Sequence, residues 1–226
     1  MIATAVFTII LLLTTTTVIG ISQTYIKGSI ESNDQDTATN VLNDISQDIE
    51  YNNGSTINTS GLYTTINGTI TPDHNSENEY YFCIGNDVYA YSFDTPLNTS
   101  STNTKYNIGL VRYTSDSCPS SMNALPTSLS AMPTGFEELL VQNERVGGLF
   151  IQGQAINGAE AYSVMVEIGY ATATSDNIIS DNGTYKDATT VPPANYVYPY
   201  QCLSGLDSSF CAVTNLTTMV VPRIND

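Results

Sequence analysis

The sequence predicts an α+β protein in which one long N-terminal helix, membrane-like in its first half and amphipathic in its second, packs on an antiparallel β-sheet head tied by disulfides. Three observations predict it. The first is the apolar run MIATAVFTIILLLTTTTVIGI, which continues without a proline into the polar-and-apolar stretch 29–51. The second is the alternation in YSVMVEIGY, residues 162–170, which has the period of a strand in a sheet with one covered face. The third is four cysteines in two sequence-local pairs. The chain then divides into an apolar helix of transmembrane length over 1–27, an amphipathic helix over 28–52 that packs on the head, and a globular β-rich head over 53–226.

The helix carries the strongest signal. Lys27 is the only charged residue before Glu31, and at 1.5 Å per residue the apolar run reaches roughly 30 Å, the thickness of a bilayer core. Ile2, Val6, Phe7, Ile9, Ile10, Leu11, Leu12, Leu13, Val18 and Ile19 are its expected lipid-facing or helix-facing residues. Thr14 to Thr17 look polar for lipid, but a helical threonine hydroxyl can bond a carbonyl one turn back and so tolerates a membrane. Beyond Gly28 the apolar positions narrow to one stripe. Ile30 and Ala38 belong to it, with Val41, Leu42, Ile45 and Ile49 as the residues expected to dock the head; Asp34, Asp44, Asp48 and their polar neighbours are assigned to a solvated face. Asn52-Asn53-Gly54 is a helix stop. The alternative is a cleaved signal peptide with a small-residue site at Thr16-Val18-Gly20, which would need a basic start that these residues do not supply. Positive charge normally marks the cytoplasmic flank, yet the nearest cation, Lys27, lies on the head side, so a basic leader upstream is expected.

Charge narrows the functions open to the head. Six basic residues face 22 acidic ones, for a net charge of −16, and neither Lys nor Arg occurs between Lys27 and Lys105. Such a field repels phosphate backbones, so no nucleic-acid partner is expected. Cys83, Cys118, Cys202 and Cys211 suit an oxidising compartment. Of the three possible pairings the two local ones are favoured; zinc would want closer spacing or histidine partners, and the single histidine, His74, sits in a polar loop.

Along the head, NNGSTINTSGLYTTINGTITPDHNSEN (52–78) reads as a hairpin or loosely held edge. YYFCIGNDVYAYSF (80–93) is a hairpin turning at Gly85-Asn86, and Tyr106 to Thr114 is a third strand. Residues 117–133 read as a surface excursion, and Phe136 to Val141 as one helical turn whose Glu137 and Glu138 are solvated. Leu149 to Ile151 and the run from Tyr162 are strands. In the latter Val164, Val166 and Ile168 share a face with Tyr162 and Tyr170, opposite Ser163, Met165 and Glu167. Residues 176–199 read as a long exposed loop, and 212–221 as a final strand ended by Pro222.

Catalytic patterns are missing: there is no G-x-S-x-G, no HExxH and no glycine-rich phosphate loop, so no enzyme activity and no cofactor are expected. Asp176, Asp181, Asn182 and Asp187 could offer oxygens to calcium, without the order of an EF-hand. Sequons at Asn53, Asn58, Asn67, Asn98, Asn182 and Asn215 are read as products of an Asn/Thr/Ser-rich composition.

On these residues the chain resembles the type IV pilins and the related type II secretion pseudopilins. MIATAVFTIILL looks like their N-terminal segment entered after its glutamate; ATNVLNDISQDIEYN is similar to the helix leaving the membrane in J-type minor pseudopilins and W-type minor pilins, and FCAVTNLTTMVVPRI resembles the end of the latter. The resemblance implies a type IV pilin-like fold and a structural minor subunit of a pilus or pseudopilus. It would be anchored in the inner membrane with its head outside, joined by an assembly platform to other pilin subunits through the N-terminal helix, and extracellular once in the filament. The family's leader, processed glycine and glutamate match no residue of this sequence, so their roles are not carried over. Two other classes stay open: an adhesin whose exposed tyrosines contact a cell surface or glycan, and a membrane-anchored enzyme with an acidic cleft.

Overall fold

The computed structural model describes residues 2–52, 57–58, 79–92, 95, 97, 108–120, 125, 131–156, 159–171, 179–181, 200–202 and 210–223. A single helix, α1 (Ile2–Tyr51), runs unbroken for 50 residues, about 75 Å at the rise of an α-helix. Its threonines behave as the local chemistry requires. The hydroxyls of Thr14, Thr15 and Thr17 donate to carbonyls four residues back at 2.8–3.0 Å, and Thr8 and Thr24 do the same. The helix stops where Asn52 donates both its backbone N–H and its side-chain Nδ2 to the Asp48 carbonyl, at 3.0 and 2.9 Å.

The head is antiparallel throughout its described pairings. One sheet is a meander in chain order, β1 (Ile57–Asn58), β2 (Glu79–Ile84), β3 (Asp87–Ser92), β4 (Leu110–Thr114) and β5 (Glu137–Glu138). A second has β7 (Ala159–Ala171) between β6 (Glu144–Ile156) and β10 (Cys211–Val220). The short strands β8 (Ile179–Asp181) and β9 (Tyr200–Cys202) pair with each other. The two larger sheets and the second half of α1 contribute to one apolar cluster. Cross-strand aromatic pairs set the centre of the meander: Phe82 stacks on Tyr89 with ring centres 4.7 Å apart, and Tyr80 meets Tyr91 at 5.7 Å. Two disulfides, Cys83–Cys118 and Cys202–Cys211, tie the head.

Several local expectations are corrected. Phe136 to Val141 does not form a helical turn, because Glu137 and Glu138 pair as β5 with Arg112 and Val111. The third strand begins at Leu110 rather than Tyr106, since Gly109 takes φ 61° and the chain cannot extend through it. The excursion over 117–133 is not wholly superficial: Leu125 and Met132 are buried in the main core. Ile179–Asp181, expected within a loop, is strand β8. β6 is much longer than Leu149 to Ile151, and carries a bulge between Val146 and Gly148. Met165 and Glu167 are buried as well as Val164, Val166 and Ile168, so β7 is covered on both faces. Glu167 there receives the Asn215 amide at 3.1 Å.

The β2–β3 hairpin turns as expected at Gly85-Asn86. Gly85 has φ 61° while Asn86 keeps an ordinary φ, the pattern of a two-residue turn with glycine first. A Cβ on Gly85 would also strike the Asn52 side chain at the end of α1. Gly85→Ala should therefore lower stability by about 1–3 kcal/mol, read as a reduced urea midpoint, whereas Asn86→Ala should stay within about 0.5 kcal/mol.

The exposed helix and its junction with the head

Every residue of α1 from Ile2 to Ser29 is exposed. The ten apolar residues singled out at the start of the helix, Ile2, Val6, Phe7, Ile9, Ile10, Leu11, Leu12, Leu13, Val18 and Ile19, are 49–84% exposed, and Ile21 adds to the same surface. This is one helix long and apolar enough to cross a membrane, near the N-terminus, with none of its apolar window buried. A soluble monomer seldom exposes an apolar patch beyond a few hundred Å². By composition the segment fits a bilayer or other helices.

From Asp34 onward the helix meets the head. Ala38, Val41, Leu42, Ile45 and Ile49 are at most 9% exposed and join the core of both sheets, packing chiefly on β10 and β7. Full burial of each large side chain in that stripe is worth about 1.5–3 kcal/mol. Polar contacts fix the angle of docking. Asp48, assigned from sequence to the solvated face, accepts the Tyr89 hydroxyl at 2.6 Å and the Arg112 guanidinium at 3.0 Å, and Arg112 also reaches Asp87 at 3.4 Å. Burial, more than the neighbouring acids, raises the Asp48 carboxyl above its ordinary range, with Tyr89 and Arg112 opposing. At the other edge Arg223, just past β10, donates its backbone N–H to the Glu50 carbonyl at 2.9 Å and its Nε to the Glu50 carboxylate at 2.7 Å, and lies 5.1 Å from the Tyr51 ring. A groove of about 400 Å³ runs between this part of α1 and β10, lined by Leu42, Ser46, Glu50, Met219 and Val221 among others.

Three carboxylic acids lie in the core or against it, and two of them, Asp34 and Glu138, were expected in solvent. Asp34 is fully buried rather than solvated, and neither of its oxygens has a hydrogen-bond partner; the Thr214 hydroxyl lies near enough to favour the ionised form without reaching bonding geometry. Glu144, the first residue of β6, is fully buried too: its Oε2 accepts the Val141 N–H at 2.9 Å, its Oε1 has no partner, and Thr37 lies beside it. Burial is the main cause that pushes both carboxyls up to about 7. Glu138, expected in solvent, accepts the N–H groups of Leu110 and Leu140 on Oε1 at 3.1 and 3.3 Å, while its Oε2 is unpaired. Desolvation raises it to about 8 against those bonds, and Glu144 adds to the rise. A signal for Asp34 existed: it stands four residues before Ala38 and seven before Val41, in phase with the stripe. Glu144 and Glu138 offered none, because their burial depends on sheet pairing.

The tyrosines of β2, β3 and β4 are core and not contact surface: Tyr80, Tyr81, Tyr89, Tyr91 and Tyr113 are all at most 7% exposed, whereas Tyr162 and Tyr170 of β7 are half-buried. Exposed aromatic clusters as an adhesive device therefore do not come from these strands. Among the described residues no three His, Cys, Asp or Glu side chains converge as a metal group. The calcium candidates Asp176, Asn182 and Asp187 lie outside the described residues, as do His74 and the sequons at Asn53, Asn67, Asn98 and Asn182; of Asp181 only the backbone, in β8, is described. Asn58 is exposed on β1.

No protein-family model, no curated protein and no solved structure matches this chain at a significant level. The architecture stands on its own geometry. A long N-terminal apolar helix, packed by its second half on antiparallel sheets and secured by disulfides, is a type IV pilin-like fold shape.

The junction yields two expected outcomes. Ile45→Ala removes a fully buried side chain from between helix and head, and should lower the stability of the head by about 2–5 kcal/mol in denaturant titration of the detergent-solubilised chain. Glu138 is raised in the folded state to about 8, so its contribution is complete below its unfolded value of about 4.5 and is lost as pH rises through about 8. In the presence of EDTA, stability should fall between pH 5 and 9, and the fall should be shallower in Glu138→Gln.

Proposed function

We propose that the chain is a structural subunit of a pilus or secretion pseudopilus, held in the inner membrane by its N-terminal helix until an assembly platform moves it into a filament. One observation carries this reading: the first half of α1 is apolar on all sides and exposed, while the second half of the same unbroken helix is clamped to a folded head. Such a helix exchanges lipid contact for contact with the helices of neighbouring subunits at little net hydrophobic change, so insertion is reversible in principle and extension must be driven from outside the subunit. The chain's own work is mechanical. The apolar surface from Ile2 to Ile26 joins subunit to subunit, and the stripe Val41, Leu42, Ile45 and Ile49 transmits the position of that helix to the head. The two disulfides suit a head that works outside the cytoplasm, and a large acidic head favours a minor or tip position over a bulk one.

The test is assembly in the native host. Mass spectrometry of sheared surface filaments should find peptides of this head, together with an N-terminal peptide whose processed end lies upstream of Ile2. Leu12→Asp places a charge in the middle of the apolar half, at about 2.5–3.5 kcal/mol for membrane insertion. It should reduce filament incorporation at least tenfold while the head keeps its disulfides and its melting transition. A head recovered only as free, soluble protein, with wild type and Leu12→Asp alike, would remove the filament reading.

A further inference from the structure

The exposed half of α1 changes character before it reaches the head. From Ile2 to Ile21 no side chain is more polar than threonine, and the hydroxyls of Thr8 and of Thr14 to Thr17 bond back to carbonyls of the helix itself. That stretch spans about 30 Å, the thickness of the hydrocarbon core of a bilayer. Ser22, Gln23, Thr24, Tyr25 and Lys27 come next, all of them exposed, with Tyr25 at 77%. At about 100° per residue, Gln23 and Lys27 share one side of the helix and Tyr25 stands on the other.

Lys27 is the only cation ahead of Lys105. Its Cα lies about 9 Å beyond Ile21, and helical side chains lean toward the N-terminus, so its ammonium reaches back into a headgroup layer about 5–7 Å deep. The preference for cations on the cytoplasmic flank does not account for a lysine on the head side; a headgroup phosphate does. Its contact with Glu31, at 3.6 Å with both side chains about half exposed, is a screened pair that leaves ammonium protons for another acceptor. Tyr25 adds a ring with a polar tip, the kind of side chain that settles where lipid meets water. Asp34, the first buried residue of α1, stands about 20 Å beyond Ile21, so roughly 13 Å of exposed helix clears the headgroups before the head begins. That exceeds the Debye length of about 8 Å at physiological salt, and with a net charge of −16 the chain gains from the distance, because anionic headgroups repel an acidic head.

We propose that Gln23, Tyr25 and Lys27 form a collar that binds phospholipid headgroups on the head side of the bilayer, fixes the depth of α1 and holds the acidic head clear of the surface. Lys27 and Gln23 donate to phosphate and ester oxygens on one side of the helix, and the Tyr25 ring wedges among the lipids on the other. The collar rests on the membrane half of the reading above and not on filament assembly. The chain has no tryptophan, so Tyr25→Trp, which keeps the interfacial preference of an aromatic ring, makes a single fluorescent reporter in the full chain. In vesicles of phosphatidylcholine and phosphatidylglycerol, its emission should be quenched at least about twofold more by lipids brominated near the glycerol end of the acyl chain than by lipids brominated near the chain terminus. Adding Lys27→Ala and Gln23→Ala should make the two quenchers equal, and Lys27→Arg should preserve the difference. Leu12→Trp, as a separate reporter, should be quenched more by the deep bromines. If Leu12→Trp behaves so while Tyr25→Trp shows no shallow preference, or keeps that preference without Lys27 and Gln23, the collar is overturned and the membrane anchor stands. If neither reporter is quenched, the collar falls together with the membrane reading beneath it.

Discussion

One uninterrupted hydrogen-bonded helix has to satisfy two surroundings, and the rest of the structure follows from where it passes from one to the other. The N–H and C=O groups of α1 are satisfied along its own axis for 50 residues, which is the condition for crossing lipid or lying in a packed bundle. Side chains alone then decide what each stretch can touch. Up to Ile26 they are apolar all round; from Asp34 they are apolar on one stripe only, and the head is built against that stripe. A break in the helix between these regions would uncouple the head from the exposed apolar half. The chain has no proline there, and Lys27 and Glu31 approach to 3.6 Å across one turn, worth at most a few tenths of a kcal/mol.

Hydrophobic burial holds the helix to the head, but it is non-directional, and the polar contacts set its register. Asp48 joins Tyr89 and Arg112 of the meander, while Glu50 joins Arg223 beyond β10. The two contacts lie near the C-terminal end of α1 and pull toward different sheets, so rotation of the helix about its axis would break at least one. The charge-assisted bonds to the partly buried Asp48 are worth about 1.5–3 kcal/mol, comparable to one large side chain of the stripe, whereas Arg223 is exposed and its ion pair is screened by solvent. Asp48 pairs with a cation, unlike Asp34, for which the described residues supply none.

Periodicity made the helix, its stripe and the alternation of β7 legible in the sequence, because each is a local pattern that burial repeats every 3.6 or 2 residues. The hairpin at Gly85 was legible for a similar reason: its two-residue turn needs a left-handed backbone that glycine accepts. Glu138 shows what local pattern misses. FEELLV has helical residue types and adjacent acids, yet pairing with Val111 and Arg112 makes two of its residues a strand and turns one acid inward beneath Gly109. A Cβ at Gly109 would stand 2.6 Å from the Glu138 Oε1, so the fit of that carboxylate depends on a glycine some thirty residues earlier in the chain. Such pairings are set by tertiary structure and have no signature in a window of six.

Gly20 and Gly28 complete the argument about the helix. An interior glycine destabilises a helix by about 1 kcal/mol relative to alanine, and among the described residues, the helix's own backbone apart, nothing approaches within 4 Å of where a Cβ would stand at either position. Their smallness therefore answers no contact with the described residues, unlike that of Gly85 or Gly109. Between helices it has a use, since small residues let backbones approach closely where apolar burial no longer discriminates lipid from protein. The surface around Gly20, with Thr17, Ile21, Thr24 and Tyr25, is shallowly concave. Thr24 turns its hydroxyl back onto the Gly20 carbonyl at 2.9 Å, so it presents its methyl group rather than an unsatisfied polar atom. The same side chains that make α1 compatible with lipid also leave it a surface against which another helix could close.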